Sequence, residues 1–415
     1  MSGIDLSFVS GKEKFNYRVC AVILSEGKLL AMHDERSPYY YLPGGRVQMG
    51  ESAEAAVVPG LPVYAPRDLA QCAAFLAGAE ALEARRPDET VASSVALPDF
   101  AEVKGQQAAK RALEIAAAGG HNLLMIGPPG SGKTMLAQRL PGILPPLSFE
   151  EALEVTKIYS VAGHLPPESG LVSARPFRSP HHTVSDVALV GGGRQPRPGE
   201  VSLAHNGVLF LDELPEFHRD VLEALRQPLE DGIVTVARAG GTLRLPAQFQ
   251  LVCAMNPCKC GWRGHPSGKC TCSDKEVEKY VQKISGPLLD RIDLHVNVPS
   301  VEYEAMRRKS KPESSAQVKE RVDAARAIQS RRFEGTGIPC NAQMTPPMVG
   351  RFCELDSRCD ALMKSAFERM GLTARSHDRV LRVARTIADL DGAEHIGVEH
   401  LSEAIQYRNT DILKG

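Results

Sequence analysis

Short apolar runs that stop at a glycine or a polar residue recur through the middle of the chain. Residues 123–126 run into Gly127, and the apolar run GVLFL ends at Asp212. Runs of this length predict buried strands, and from Asp99 onward the order of patterns is helix, strand, Gly-rich turn, helix. Residues 99–300 are therefore predicted to form a doubly wound α/β domain with a parallel sheet.

The pattern changes on both sides of this domain. Residues 301–340 contain the polar, basic stretches MRRKSKPESS and QSRRFEG, which predict a connection that includes a helix. From about Thr345, apolar and basic residues alternate at helical spacing, as in a small all-helical lid. Residues 78–100 are rich in Ala, Glu, Arg and Pro and predict a helix end followed by a linker. We assign residues 301–415 to the connection and the lid.

The first 57 residues form a separate segment. Two short strands are predicted within residues 16–33, joined at Ser25-Glu26-Gly27. The following YLPGGRVQMGESAEAAV resembles the first half of a Nudix box, in which Gly45 and Glu51 fit, but proline and glycine stand at residues 59–63 where metal-binding carboxylates belong. We expect a truncated Nudix-like segment without hydrolase activity, and a chance turn is the alternative.

Composition limits the possible functions. A chain of 415 residues can form two or three domains, and its net charge of -1 excludes a uniformly basic nucleic-acid-binding protein, so any DNA surface must be local. No apolar run is long enough to cross a bilayer, and the N-terminal sequence lacks the features of a signal peptide. We expect a cytoplasmic protein.

The strongest motif is GPPGSGKT, which lies between an apolar strand and a predicted helix. In such a P-loop, backbone N–H groups surround the phosphates, Lys133 reaches the β and γ phosphates, and the Thr134 hydroxyl binds magnesium. We therefore predict ATP and Mg2+ as ligands. The predicted phosphate-binding residues are Gly127, Pro128, Pro129, Gly130, Ser131, Gly132, Lys133 and Thr134.

A second acidic motif completes the predicted ATP site. The run GVLFL is followed by Asp212 and Glu213. Asp212 is predicted to hold the magnesium, and Glu213 to act as a general base on the attacking water. The alternative is that both acids end a buried strand in a solvated turn.

The segment ARPFRSPHHTVSDVALVGGGRQPRPGEVSLAHNGVLFLDE closely resembles the magnesium-chelatase-like AAA+ ATPases of the ComM/YifB family. The resemblance covers about residues 58–415, but most of that family's Lon-protease-like N-terminal domain is missing. Residues 58–98 therefore resemble a remnant of that domain and its linker. His181 and His182 in the PHHT run have no acidic or thiol partner at ligand spacing, so hydrogen bonds within the segment are expected.

The resemblance implies further residues at the nucleotide. Asn256, after the apolar run QLVCAM, matches the polar residue that AAA+ proteins direct at the γ phosphate, although Asn before Pro also starts turns. GLTARSHDRVLRVARTIADLDG resembles the sensor 2 helix. There Arg379 is the predicted phosphate-facing arginine, with Arg382 and Arg375 as competitors.

SGPLLDRIDLHV resembles the stretch that carries the arginine finger, which makes Arg291 the predicted finger. Such an arginine normally comes from a neighbouring subunit, so a ring is implied, most simply a homo-hexamer. The alternative is a surface arginine paired with Asp290 or Asp293.

Residues 233–245 alternate around a Gly-Gly turn and predict a β-hairpin. Related AAA+ proteins direct such a hairpin into the pore of the ring, which makes Arg238 and Arg244 candidates for contacts with DNA phosphates. Arginines on any exposed hairpin give the same pattern.

Four cysteines form two C-x-C pairs across a Gly- and Pro-rich loop: Cys258, Cys260, Cys270 and Cys272. Four thiolates on a short loop suit structural zinc, and free or redox-active thiols are the alternative.

The resemblance implies a ring-forming ATPase that moves along single-stranded or branched DNA, as a helicase or branch-migration factor in recombination or natural transformation. A magnesium-chelatase-like motor that remodels a protein partner is one alternative. An inactive fusion is another.

Overall fold

The computed structural model describes residues 97–165, 171–192, 197–238, 241–300 and 312–408, with short strands and a few positions before residue 82. The backbone forms two compact units. One comprises residues 1–94 with 152–173, and the other comprises residues 95–151 with 174–415. The predicted boundaries after residues 57, 98 and 300 stay predictions.

The N-terminal unit contains three pairs of antiparallel strands: β1 (Leu6–Ser10) with β2 (Glu13–Tyr17), β3 (Leu24–Ser25) with β4 (Lys28–Leu29), and β5 (Met32–His33) with β6 (Tyr40–Tyr41). The sequence predicted a junction at Ser25-Glu26-Gly27, of which residues 26 and 27 lie outside the described residues. The Nudix-like residues 42–57 and the remnant at 58–70 lie outside the described residues.

A five-stranded parallel sheet forms the centre of the second unit. Its strands are β7 (Leu123–Ile126), β8 (Phe177–Arg178), β11 (Val208–Leu211), β14 (Gln250–Met255) and β15 (Leu294–Asn297). Their order across the sheet is β15-β7-β14-β11-β8. Every residue of β7, β11 and β14 is buried, which is why these strands are continuous apolar runs. The predicted α/β fold class is confirmed.

Nine α-helices and one hairpin are described between residues 100 and 300, and residues 152–162 of the third of these helices belong to the N-terminal unit. The helices are α1 (Gln107–Gly119), α2 (Lys133–Ala137), α3 (Phe149–Ala162), α4 (Asp186–Val190), α5 (Glu200–Leu203), α6 (Arg219–Ala224), α7 (Arg226–Asp231), α8 (Asp274–Val281) and α9 (Gly286–Leu289). Two short strands, β9 (Gly191–Gly192) and β10 (Arg197–Pro198), pair between α4 and α5. The predicted hairpin is present as β12 (Ile233–Arg238) and β13 (Gly241–Pro246).

The C-terminal part is helical, as predicted. It consists of α10 (Ser315–Arg332), α11 (Pro346–Phe352), α12 (Ser357–Met370), α13 (Ala374–Leu390) and α14 (Val398–Gln406). Apolar side chains of α10 and α13 share one buried cluster with α1 and with strands β7 and β15. None of the described helices combines the length and apolar character needed to span a bilayer.

Candidate nucleotide-binding site

The P-loop connects β7 to α2 through residues 127–132. Its glycines are required by geometry. A Cβ on Gly127 would lie 2.1 Å from the carbonyl oxygen of Val298, and Gly130 and Gly132 adopt φ angles of 77° and 90°. Side chains are strained in that left-handed region, so the sequence GPPGSGK permits a turn that brings the main chain close to a ligand.

Lys133 begins α2 and is buried. Its ammonium group donates hydrogen bonds to the carbonyl oxygens of Gly127 (2.7 Å) and Pro128 (3.0 Å), and to Oδ1 of Asn256 (3.2 Å). Burial lowers the pKa of Lys133, although the charges of Asp212 and Glu213 oppose that shift. A cation held by neutral carbonyl and amide oxygens is ready to bind an anion in their place.

Strand β11 ends at the two acidic residues. The Thr134 hydroxyl donates a hydrogen bond to Oδ2 of Asp212 at 2.6 Å, so the two predicted magnesium ligands are already in contact. The backbone N–H of Glu213 donates to Oδ1 of Asp212 at 2.9 Å. Glu213 has a φ angle of 53°, which is strained for a residue with a side chain. This conformation directs the backbone away from the strand directly after the acid pair.

A cavity of about 410 Å³, here called the P-loop cavity, brings these residues together. Its lining residues are Pro129, Gly130, Gly132, Lys133, Thr134, Met135, Asp212, Glu213, Met255 and Asn256. The three predicted motifs thus meet in one place, because β7, β14 and β11 are neighbours in a parallel sheet and their carboxyl ends share one edge.

The family model for magnesium chelatase, subunit ChlI, matches residues 99–306, and the model for the ChlI C-terminal region matches residues 312–408. The chain belongs to the ChlI-like AAA+ ATPases. ATP and Mg2+ are the ligands of this family, and the P-loop cavity offers the ammonium group, hydroxyl and carboxylates that fit them.

Several relatives of this ChlI-like ATPase are close in sequence. It is 48% identical to Uncharacterized protein YifB of Escherichia coli over 342 residues, which are 82% of this chain and 66% of that protein. It is 44% identical to Competence protein ComM of Haemophilus influenzae over 363 residues, 86% of this chain and 69% of that protein. The chain thus spans about two thirds of the length of these relatives. The Magnesium-chelatase 38 kDa subunit of Cereibacter sphaeroides is 26% identical over 73% of this chain and 88% of its own.

Three of the predicted arginines of the ChlI-like ATPase lie in a different cavity. Arg291, Arg379 and Arg382 line a space of about 400 Å³, together with Glu230 and Asp293, here called the arginine cavity. The residues described as lining this cavity include none that line the P-loop cavity. Arg375 is exposed and is not among the lining residues.

Arg291 is held within its own chain. Its guanidinium forms an ion pair with Glu230 and donates to the carbonyl oxygen of Pro287 at 2.8 Å. The flanking carboxylates that the sequence offered as partners bind other arginines instead. Asp290 pairs with Arg408 at 3.3 Å, and Asp293 pairs with Arg379 at 3.2 Å. Glu230 is 58% exposed, so its pair with Arg291 is weak and can be exchanged for another anion.

Asp293 is largely enclosed, with 12% of its side chain exposed, and it is held by several partners. Arg379 Nε lies 3.2 Å from its carboxylate, and His121 Nδ1 lies 3.4 Å from it. Burial alone would raise the pKa of Asp293, but the His121 hydrogen bond and the charges of His121, Arg379 and Arg408 lower it overall. Asp293 is therefore a fixed anion that orients Arg379. One guanidinium nitrogen of Arg379 (Nη1) and one of Arg382 (Nε) are buried without a hydrogen-bond partner among the described residues.

The histidines of the PHHT run differ in their partners. His181 Nδ1 lies 2.9 Å from the Thr183 hydroxyl, which agrees with the predicted bonding inside the segment. His182 Nδ1 instead lies 3.5 Å from a carboxylate oxygen of Glu213, so an acidic partner is present that sequence spacing did not reveal. The contact depends on strand pairing between β8 and β11, which brings the residues after β8 beside the end of β11.

The hairpin β12–β13 exposes the Arg244 side chain, while the side chain of Arg238 lies outside the described residues.

Four cysteine sulfurs come together in the loop after β14: the Sγ atoms of Cys258, Cys260, Cys270 and Cys272 all lie within 4.8 Å of one another. These cysteines are the residues that could hold a zinc ion, and that assignment stays a prediction.

Proposed function

We propose that this ChlI-like ATPase forms a ring, most simply a hexamer, and uses ATP hydrolysis to move along single-stranded or branched DNA as a helicase or branch-migration factor. The observation that carries the proposal is the separation of the site into two cavities. The P-loop cavity has an ammonium group and two acids, whereas the guanidinium groups line another cavity of the same chain.

Within the P-loop cavity, each residue has a proposed role. Backbone N–H groups of residues 127–132 and the Lys133 ammonium bind the phosphates. Thr134 and Asp212 provide oxygen ligands for Mg2+. Glu213 accepts a proton from the attacking water, and His182, 3.5 Å away, holds its carboxylate in position. Asn256 orients that water or the γ phosphate.

The arginine cavity would supply the missing positive charge to the next subunit. Phosphoryl transfer develops negative charge that guanidinium groups stabilise. Arg379 and Arg382 each keep a buried nitrogen without a partner among the described residues, and such donors are costly unless an anion binds them. Arg291 joins them once Glu230 releases it. A ring would place this cavity of one subunit against the P-loop cavity of its neighbour.

DNA as the substrate rests on two observations. The hairpin β12–β13 presents the exposed Arg244, with Arg238 on the paired strand, and a cationic hairpin suits the phosphates of a strand inside a pore. The similarity to Competence protein ComM, 44% over 86% of this chain, favours a role in the uptake or recombination of DNA.

A motor that remodels a protein partner is the second candidate. The 26% identity with a magnesium-chelatase subunit favours it, because that match covers 88% of the subunit. Stimulation by DNA separates the two candidates, since a motor acting on a protein has no need of DNA.

The test measures ATP hydrolysis by the full chain with no DNA, with single-stranded DNA and with a branched junction. Wild-type turnover should rise with DNA, and Lys133→Ala should abolish it in all three conditions. Lys283→Ala is the matched control, because this lysine is exposed and its contacts, with Glu216 and the Tyr280 ring, lie outside the P-loop cavity. Turnover that ignores every DNA would overturn the DNA motor in favour of the protein remodeller. The absence of turnover in the wild type would favour the inactive fusion.

A further inference from the structure

The loop between β14 and α8, residues 256–273, touches the P-loop directly. Gly261 in this loop has a φ angle of 84°, and a Cβ there would lie 2.7 Å from Cδ and 2.8 Å from Cγ of Pro129. A cavity of about 240 Å³ is lined both by this loop, including His265, and by Gly127 and Pro128 of the P-loop. The Cys loop, as residues 256–273 are called below, therefore supports the P-loop from outside the P-loop cavity.

The four cysteines of this loop have the spacing of a metal site. Tetrahedral zinc with Zn–S bonds of about 2.3 Å requires sulfurs about 3.8 Å apart. The distances here are 3.3 Å between Cys258 and Cys260, 3.6 Å between Cys260 and Cys270, and 3.8 Å between Cys258 and Cys270. Cys272 lies within 4.8 Å of all three. The four thiols are thus close enough together to be ligands of one metal ion.

Apart from its cysteines and Trp262, the Cys loop consists of glycine, proline and polar residues. Trp262 packs edge-on against His265, and His265 Nε2 lies 3.0 Å from the Ser300 hydroxyl oxygen. The two ends of the loop are fixed, because β14 is buried in the sheet and Ser273 caps α8 through reciprocal bonds with Glu276. A metal ion is the usual means of ordering a short polar loop without a hydrophobic core.

We propose that Cys258, Cys260, Cys270 and Cys272 bind one zinc ion, and that the metal-bound Cys loop holds the P-loop in its phosphate-binding shape through the Gly261–Pro129 contact. Nucleotide affinity then depends on metal occupancy, although zinc takes no part in the chemistry. The inference rests on the proposed nucleotide site, and it requires neither DNA nor a ring.

The first test measures zinc content and nucleotide affinity of the full chain. Wild-type protein should contain one zinc per chain, and Cys260→Ser with Cys270→Ser should contain none. Removal of zinc by a chelator should weaken binding of a fluorescent ATP analogue about tenfold, since small displacements of binding groups have effects of this size or larger. Added Zn2+ should restore the affinity. Unchanged affinity after complete zinc loss, or wild-type protein without zinc, would overturn the proposal.

The second test leaves the cysteines intact. Gly261→Ala should retain zinc but bind the ATP analogue about tenfold more weakly, because its Cβ displaces Pro129. Gly268→Ala is the matched control: Gly268 has a similar φ angle of 63° in the same loop, but its Cβ would meet nothing within 4 Å. Equal affinities of the two variants would contradict the proposed contact. Loss of DNA stimulation alone would count against the DNA motor and leave this result unaffected.

Discussion

The P-loop cavity and the arginine cavity are almost equal in size, about 410 and 400 Å³, but their charges are arranged in opposite ways. In the first, a buried lysine faces acids that are open to solvent, and Glu213 is 57% exposed. In the second, Asp293, whose side chain is 12% exposed, holds Arg379 in place. Acids next to cations thus serve different purposes in the two cavities: some are placed for a ligand, and others for the fold.

Arg291→Ala gives the largest expected effect. If the arginine cavity completes a neighbour's site, kcat for ATP hydrolysis should fall about 1,000-fold, since an arginine finger contributes at least that much, while affinity for ATP is retained. Turnover and nucleotide binding are measured separately. Mixed rings provide the control: Arg291→Ala and Lys133→Ala proteins, each inactive alone, should recover partial turnover when combined. Failure of the mixture to recover would argue against sharing between subunits.

Glu213→Gln should lower kcat about 100-fold and leave ATP affinity unchanged, because the amide cannot accept the proton of the attacking water. Single-turnover hydrolysis measures the chemical step. Glu216→Gln is the matched control, since Glu216 lies three positions along the chain in a salt bridge with Lys283. Equal rates for the two variants would make Glu213 a simple turn residue.

Asp293→Asn should affect stability rather than the chemistry directly. Removing this largely enclosed charge leaves Arg379 without its anion and takes a second negative charge away from Arg408, which should cost about 3 kcal/mol of unfolding free energy. Because the fold lowers the pKa of Asp293, its contribution is present above the unfolded value of about 4 and is lost as the pH falls through the folded pKa. Urea titrations at several pH values measure this loss. Asp212→Asn, in the P-loop cavity, should change the free energy of unfolding little. Equal losses of stability in the two variants would contradict the difference between the two cavities.

Arg244→Ala should have the smallest effect. Loss of one phosphate contact should weaken DNA binding across all sequences. It should also reduce the slope of log affinity against log salt concentration by about one, since about one fewer counterion is released on binding. Binding measured at several salt concentrations reports both quantities. Arg358→Ala, an exposed arginine of α12, is the control and should leave both unchanged. An unchanged salt dependence for Arg244→Ala would remove this residue from the DNA interface.

The sequence predicted the P-loop cavity better than the arginine cavity, for a physical reason. Lys133, Asp212 and Asn256 each follow an apolar run, and neighbouring parallel strands bring such positions to one edge. The partners of Arg291 and Arg379 depend on how helices pack, so the Glu230 pair could not be read from spacing. The same holds for His182 and Glu213, which meet through the pairing of β8 with β11. The Nudix-like motif stays a prediction.

The 2.6 Å hydrogen bond between Thr134 and Asp212 has a consequence for how magnesium binds. A hydroxyl that donates its hydrogen to a carboxylate turns its lone pairs outward, so both oxygens stay close together between turnovers. Those lone pairs could bind Mg2+ while the hydrogen stays on the carboxylate, so Thr134 and Asp212 would act as one preformed pair of oxygen ligands. The negative charge of bound phosphates would then strengthen the attraction of this pair for the ion.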